Sequence, residues 1–251
     1  MGSLSDAEGR QPHPRGRRVA FFGGSFDPPH LGHLGVARAA QAALSLDSVL
    51  FAPVGTQPLK PQGTEASFED RLAMTRMAIA SEPGFDLSMA DAPQPSGAPN
   101  YTLETLLALR YQLPPNTTLF CLMGADSFAG FRRWHRAAEI PFVAPLIIAS
   151  RPGQLLNNLD SALPDGLTME PAPESEIVEP AIALRRYILR NPAGQQAPFY
   201  LLPGLHIDIS ASDIREQIRL FGPSPAATQT PHPNLLPPPV LEYIRAHHLY
   251  H

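Results

Sequence analysis

Apolar and polar positions along this chain change period every ten to fifteen residues. Val19-Ala20-Phe21-Phe22 is an unbroken apolar run stopped by Gly23-Gly24, the pattern of a buried strand entering a turn. Leu31 to Leu44 then has helical spacing and strong helix formers, among them Ala37, Ala39, Ala40, Ala42 and Ala43. The alternation repeats. Ser48–Val54 reads as a strand. Ser67, with Asp70 three positions on, reads as the cap of a helix bearing Leu72, Met74, Met77, Ala78 and Ile79. Phe85–Met89 reads as a short strand, and Asp91–Asn100 as a Pro/Gly/Ser loop. Thr102–Tyr111 reads as a helix, Thr118–Met123 as a strand, Phe128–Glu139 as a helix and Pro145–Ala149 as a strand. Further on, the pattern predicts a short helix over Ala181–Leu189 behind Pro180 and a strand over Phe199–Leu202. It then predicts a helix capped by Ser210 or Ser212 that stops before Gly222, and an amphipathic helix over Pro239–His247. Such alternation predicts an α/β fold, a mostly parallel sheet with helices on both faces and a C-terminal helical segment. Residues 1–18 read as a disordered leader and 19–251 as one domain, with 154–198 and 223–234 as variable loops.

Composition narrows the function classes. The 251 residues are 43% hydrophobic, enough for a sizeable core. The net charge of −4 argues against binding along a nucleic acid backbone, which needs a basic face. The longest apolar run, Phe142–Ala149, is far below the roughly 20 residues a bilayer requires. Met1–Arg18 lacks the apolar core of a secretion signal. No membrane and no nucleic acid partner is expected, and the cytoplasm is the expected compartment. The single cysteine, Cys121, lies in the apolar run Leu119–Met123 and reads as a core residue. Of 19 basic residues only Lys60 is a lysine, which marks it for a compact ammonium.

Two segments carry candidate chemistry. The first is Gly23-Gly24-Ser25-Phe26-Asp27-Pro28-Pro29-His30-Leu31-Gly32-His33, between the first strand and the first helix. Ligands of open α/β sheets bind at such strand ends. The glycines are expected to supply left-handed backbone and close approach to an anion. His30 and His33 share one side of the first helical turn, where a helix N-terminus already favours phosphate. A metal site would need a third ligand, and none stands nearby in sequence. The G-x-x-x-x-G-K spacing is absent, which disfavours P-loop chemistry. The second segment is Ile209-Ser210-Ala211-Ser212-Asp213-Ile214-Arg215. Its hydroxyls, first-turn N–H groups and arginine suit a phosphate; an ordinary N-cap is the plain alternative.

The His-x-Gly-His turn followed by the late Ile-Ser-x-Ser-x-Ile-Arg helix start resembles the HxGH nucleotidyltransferases, and within them bacterial-type nicotinate-nucleotide adenylyltransferases. Further resemblance lies in Pro99–Leu106, in Met123-Gly124-Ala125-Asp126-Ser127 with Trp134, in Ser150-Arg151-Pro152-Gly153 and in Leu236–Tyr250. These segments run in family order from about residue 19 to 250. The chain writes Ser210-Ala211-Ser212 where the family has Ser-Ser-Thr, Leu59 where it often has histidine, and Asn100 where it has serine.

The resemblance implies a Rossmann-like, doubly wound fold. It also implies adenylyl transfer from ATP to nicotinate mononucleotide, giving deamido-NAD and pyrophosphate, with Mg²⁺ carried by the ATP phosphates and no protein metal ligand. It implies that His30, His33, Lys60 and Arg215 act on the reacting phosphates. Gly23, Gly24, Ser25, Phe26, Gly32, His33, Gly124, Asp126, Ser210, Ser212 and Arg215 would receive ATP. Ser25, Lys60, Tyr101, Thr102, Trp134 and Arg151 would receive the mononucleotide. Transfer to nicotinamide mononucleotide or phosphopantetheine, and a non-catalytic nucleotide sensor, are the alternatives. Oligomeric state stays open, a homo-oligomer included.

Overall fold

The computed structural model describes residues 16–59, 63–150, 159–173, 184–203, 210–221 and 235–251. Lys60, Arg151, the leader up to residue 15 and the whole of 223–234 lie outside the described residues. Among the described residues one sheet has eight strands. They are β1 (Arg18–Gly24), β2 (Ser48–Pro53), β3 (Phe85–Leu87), β4 (Thr118–Gly124), β5 (Leu146–Ala149), β6 (Thr168–Pro171), β7 (Arg185–Arg190) and β8 (Gln196–Leu202). Their order is β3-β2-β1-β4-β5-β8-β7-β6. Pairing is parallel from β3 to β8 and antiparallel from β8 through β7 to β6.

Period-two alternation on β1 divides the core. Ala20 and Phe22 face one layer with Leu34, Met74, Ile214, Ile218, Val240 and Ile244. These come from α1 (Leu31–Leu44), α2 (Phe68–Ile79), α7 (Ala211–Phe221) and α8 (Pro238–Ala246). Val19 and Phe21 face the other, with Leu103, Phe128, Ile140 and Leu159. Those come from α3 (Thr102–Gln112), α4 (Ala125–Ala129), α5 (Ile140–Val143) and α6 (Leu159–Ala162). Helices therefore cover both faces, as the alternation predicts. On α1 the buried positions Ala37 and Ala40 are fully enclosed, and their small size lets the helix lie close to the sheet. At α2 the predicted cap forms: the Ser67 hydroxyl accepts from the Asp70 N–H at 3.0 Å.

Two expectations need correction. Phe128–Glu139 is not one helix. Helix α4 starts and ends earlier, and 3₁₀ turns follow at Phe131–Arg133 and Ala137–Glu139. Trp134 between them is extended (φ −71°, ψ 151°) and Arg136 is left-handed (φ 50°). Burial of Phe131, Ala137 and Ile140 gave this broken path a helix-like apolar spacing. The helix expected over Ala181–Leu189 is also overturned where it is described, because Arg185–Arg190 is strand β7, hydrogen-bonded between β6 and β8. The stretch 154–198 therefore carries sheet edge as well as loop. Among the described residues no helix is long and apolar enough to cross a membrane.

Candidate active site

Strand β1 lies between β2 and β4, so the chain leaves it toward one side and returns on the other. That is the switch point where open α/β sheets hold ligands. A cavity of about 880 Å³ opens there, lined by Phe21–Asp27 of the first turn and Cys121–Ser127 at the end of β4. His30, His33, Ser210, Ser212 and Arg215 join it from one side, and Tyr101, Thr102 and Trp134 from another. Gly32 also lines it. The two sequence segments, almost two hundred residues apart, thus meet in one cavity.

The turn from Gly23 to His33 is built differently from the expectation. Neither Gly23 nor Gly24 has a positive φ; Phe26 does, at 47°. The glycines are required for space. A Cβ on Gly23 would stand 2.8 Å from the Phe21 ring, and one on Gly24 3.1 Å from the Phe26 ring. Phe26 itself is buried, edge-on to His33 at 4.9 Å and packed on Phe22 and Phe51. Its side chain therefore walls the His33 imidazole. Gly124 has no such constraint, since an added Cβ would meet nothing within 4 Å.

His30 caps α1 and His33 is its third residue, with ring centroids 3.7 Å apart. The His33 Nδ1 accepts the His30 backbone N–H at 3.2 Å. That contact assigns the neutral ring its proton at Nε2, and so a donor on the far edge of the ring. Arg215, in the second turn of α7, donates from Nη1 to the Asp27 carbonyl at 2.7 Å and from Nε to Glu65 Oε1 at 2.6 Å. Its Nη2 stands 3.4 Å from the Ser212 hydroxyl. Ser25 donates its hydroxyl to Gln57 Oε1 at 3.1 Å.

At the other end, Tyr101 caps α3 and Thr102 is its first residue. Asn100 fastens this approach: its Oδ1 accepts the Thr56 N–H at 2.9 Å and its Nδ2 donates to the Ala92 carbonyl at 2.8 Å. Trp134 is half-buried, packed edge-on against Phe131 at 5.5 Å while lining the cavity. It serves core and cavity together. The Tyr101 ring lies 4.3 Å from His135, which the sequence reading left unassigned. Asp126, in the first turn of α4, also lines the cavity.

Several site residues had weak sequence signals. Asp27 is 4% exposed and takes N–H groups from Glu65 (2.8 Å) and Ala66 (3.1 Å). Arg71 is 1% exposed; its guanidinium donates to the carbonyls of Ser25 at 2.7 Å and Val54 at 2.9 Å, tying the turns after β1 and β2 together. Burial pulls its pKa down, and the nearby Asp27 opposes this. The available signal was an arginine on the buried stripe of α2 with Met74 and Ala78. Asp91 accepts the Thr105 hydroxyl at 2.7 Å and lines the cavity; burial pushes its carboxyl up to about 6. Burial, with Asp91 nearby, pushes the Cys121 thiol up to about 12, so it is not a nucleophile at neutral pH.

Residues 21–217 match the cytidylyltransferase-like family model. The chain is 34% identical over 232 residues to the "Probable nicotinate-nucleotide adenylyltransferase" of Roseiflexus sp., covering 92% of this chain and 97% of that one. It is 36% identical to the protein of the same name from Dechloromonas aromatica, over 92% and 97% of the two chains. The chain belongs to the nicotinate-nucleotide adenylyltransferase family. The family's fold is also that of a solved Plasmodium falciparum nicotinic acid mononucleotide adenylyltransferase complexed with NaAD. That structure superposes with a TM-score of 0.63 at 16% identity, over 93% of this chain and 97% of the other. For a nicotinate-nucleotide adenylyltransferase, the departure at Ala211 falls on the first residue of α7, where backbone N–H groups remain available whatever the side chain.

Proposed function

We propose that this chain transfers the adenylyl group of ATP to nicotinate mononucleotide, releasing pyrophosphate and deamido-NAD. The observation that carries the reading is the polarity of one cavity: imidazoles, serine hydroxyls and a guanidinium at one end, aromatic rings and a helix start at the other.

The substrate phosphate is already an anion, so no protein nucleophile is needed. Its oxygen forms a bond to the α-phosphorus as the bond from that phosphorus to the bridging oxygen breaks. The departing pyrophosphate keeps the electron pair. Catalysis then rests on positioning and on neutralising charge that grows on the bridging oxygen. The Nε2–H of His33 and the guanidinium of Arg215 serve that oxygen and its neighbours, with His30 beside them. Gly23, Gly24, Ser25, Gly32, Ser210 and Ser212 offer backbone or hydroxyl donors to the chain of phosphates, and Asp126 accepts from the ribose. Lys60 and Arg151 add cations toward the mononucleotide phosphate. Trp134 stacks on the pyridine ring, whose positive charge suits an electron-rich face. N–H groups at Tyr101 and Thr102 receive the carboxylate.

Among the described residues no three His, Cys, Asp or Glu side chains gather as a metal-holding group. The donors that line the phosphate end suit phosphate oxygens, so Mg²⁺ enters as part of the nucleotide substrate. We assign the activity to the cytoplasm, where a buried free thiol such as Cys121 stays reduced.

The test is pyrophosphate release from MgATP with nicotinate mononucleotide, nicotinamide mononucleotide and phosphopantetheine in parallel. The acid mononucleotide should be the best acceptor, with kcat/KM for the amide about 10-fold lower or worse, about 1.4 kcal/mol for a carboxylate receptor facing a neutral group. Turnover of phosphopantetheine alone, or ATP binding without any turnover, overturns the reading.

A further inference from the structure

Tyr250 stands one residue before the end of the chain, yet its hydroxyl donates to Asp27 Oδ1 at 2.7 Å. Both side chains are buried. The chain gets there after α8 through two left-handed residues that are not glycine, His248 (φ 51°) and Tyr250 itself (φ 65°), a conformation such residues rarely adopt.

Asp27 is the point where four parts of the molecule meet. Its Oδ1 accepts from Tyr250 and from the Ala66 N–H, and its Oδ2 from the Glu65 N–H. Its carbonyl accepts Nη1 of Arg215 at 2.7 Å, while the same Nη1 stands 4.0 Å from Oδ2. A buried carboxylate that loses a donor gains most by turning toward the nearest cation. Here that cation is Arg215. The other cation near Asp27 is Arg71, which spends its two Nη atoms on the carbonyls of Ser25 and Val54.

We propose that Tyr250 is a positioning residue: its hydroxyl keeps the Asp27 carboxylate on residues 65 and 66 and beyond hydrogen-bond distance of Arg215, so that the guanidinium can meet a polyphosphate. The inference rests on Arg215 as a ligand of ATP phosphates, part of the function proposed above. Tyr250 does not line the cavity, so it acts through Asp27.

The experiment is calorimetric titration of the full chain with MgATP and, separately, with nicotinate mononucleotide. It compares the unaltered protein, Tyr250→Phe, and a variant with 4-aminophenylalanine at 250, whose amino group restores a donor at the ring's end. Tyr250→Phe should bind ATP five- to ten-fold more weakly while mononucleotide affinity stays within two-fold. The amino variant should return ATP affinity to within two-fold of the unaltered protein. ATP affinity unchanged in Tyr250→Phe overturns the proposal. So does an equal loss for both ligands, which marks general damage to the fold. Should the phenylalanine variant not fold, weak ATP binding by a folded amino variant overturns it too. Because binding is read without turnover, a protein that binds ATP but adenylylates no mononucleotide refutes the proposed reaction and leaves this test standing.

Discussion

At the end of the cavity proposed for phosphates, His30 and Asp27 are buried, the two imidazoles lie tilted against each other, and Arg215 is held by Asp27, Glu65 and Ser212. At the ring end, Trp134 is half-buried between two 3₁₀ turns, and Arg133 and His135 beside it are exposed. In the first region Asp27 and Arg215 are each fixed by several bonds, most of them from separate elements. At the second, Trp134 stands on irregular backbone and packs on Phe131 through ring contact. The difference suits the two tasks proposed for these ends. Charge that develops on a leaving group is stabilised only by donors aimed in advance. A planar ring is held by any face at the right spacing, and stacking tolerates small shifts. Loss at the first end should therefore be read in kcat, and loss at the second in KM.

The largest effect is expected from His33→Ala. The ring's Nε2–H is directed by the bond from His30 N–H to Nδ1, so it is a donor fixed before the reaction. Its removal should lower kcat by about 10²–10³, the range for one lost oxyanion donor, with KM for ATP changed less than about five-fold. Steady-state rates with both substrates varied decide it. Near-normal kcat would reduce the His-x-Gly-His turn to a binding loop and erase the contrast between the ends.

Trp134→Ala should act the other way. KM for the mononucleotide should rise by about 1–3 kcal/mol, the scale of a base on an aromatic ring, with little change in KM for ATP. Because Trp134 also packs on Phe131, a thermal melt belongs beside the kinetics. A variant that melts far earlier with both KM values intact would make Trp134 a core residue.

Asp91 sharpens the comparison at the boundary between the ends. Its carboxyl is raised to about 6 by burial, against an ordinary 3.8, with only the Thr105 hydroxyl opposing. A raised carboxyl binds its proton more tightly folded than unfolded, so stability falls as pH rises from about 4 to about 6 and then stays lowered. The span corresponds to an energy of roughly 3 kcal/mol. Asp91→Asn should thus be more stable than the parent at pH 8, by roughly 1–2 kcal/mol, and no more stable at pH 4. Urea melts at the two pH values check the sign; a variant less stable at pH 8 would show that the ionised carboxylate has a stabilising partner.

What was legible in the sequence follows from where partners lie. The turn from Gly23 to His33 was readable because strand, turn and helix start are contiguous, and α1 is found over Leu31–Leu44 as predicted. Tyr250 and Asp27, 223 positions apart, leave no local pattern, and Arg71 is marked only by its place on the stripe of α2 with Met74 and Ala78. The broken segment after α4 was misread because its buried Phe131, Ala137 and Ile140 imitate a helical stripe. The ring end was thus legible at the start of α3 and in Trp134 as a residue, but not in the backbone that carries Trp134. The other end was legible as strand, turn and helix start, but not in the backbone angles of that turn or in the bonds that brace it.

The smallest effect concerns how that bracing uses charge. Glu65 bonds Arg215 at 2.6 Å and also bonds Arg219. Its carboxyl is held below the usual range, chiefly by the bond to Arg219, with burial opposing and Arg215 assisting. A lowered carboxyl stabilises the fold above its unfolded pKa and loses that contribution as pH falls through the folded value. At neutral pH the contribution is present but small, because Glu65 and Arg219 are both more than two-fifths exposed, and water and salt screen such pairs. Glu65→Gln should accordingly shift the urea midpoint only slightly at pH 7 and not at all near pH 3. Its effect on ATP should be more visible. A carboxylate on Arg215 competes with phosphate for the same guanidinium, so the amide should lower KM for ATP about two- to four-fold, less than 1 kcal/mol for a screened charge near the surface. Initial rates across ATP concentrations at low and high salt read this directly, and the gain should shrink as salt screens it. A raised KM in Glu65→Gln would mean the opposite: that Glu65 holds Arg215 in the position from which it meets the phosphates, and that the phosphate end is braced by its ion pairs as much as by its buried hydrogen bonds.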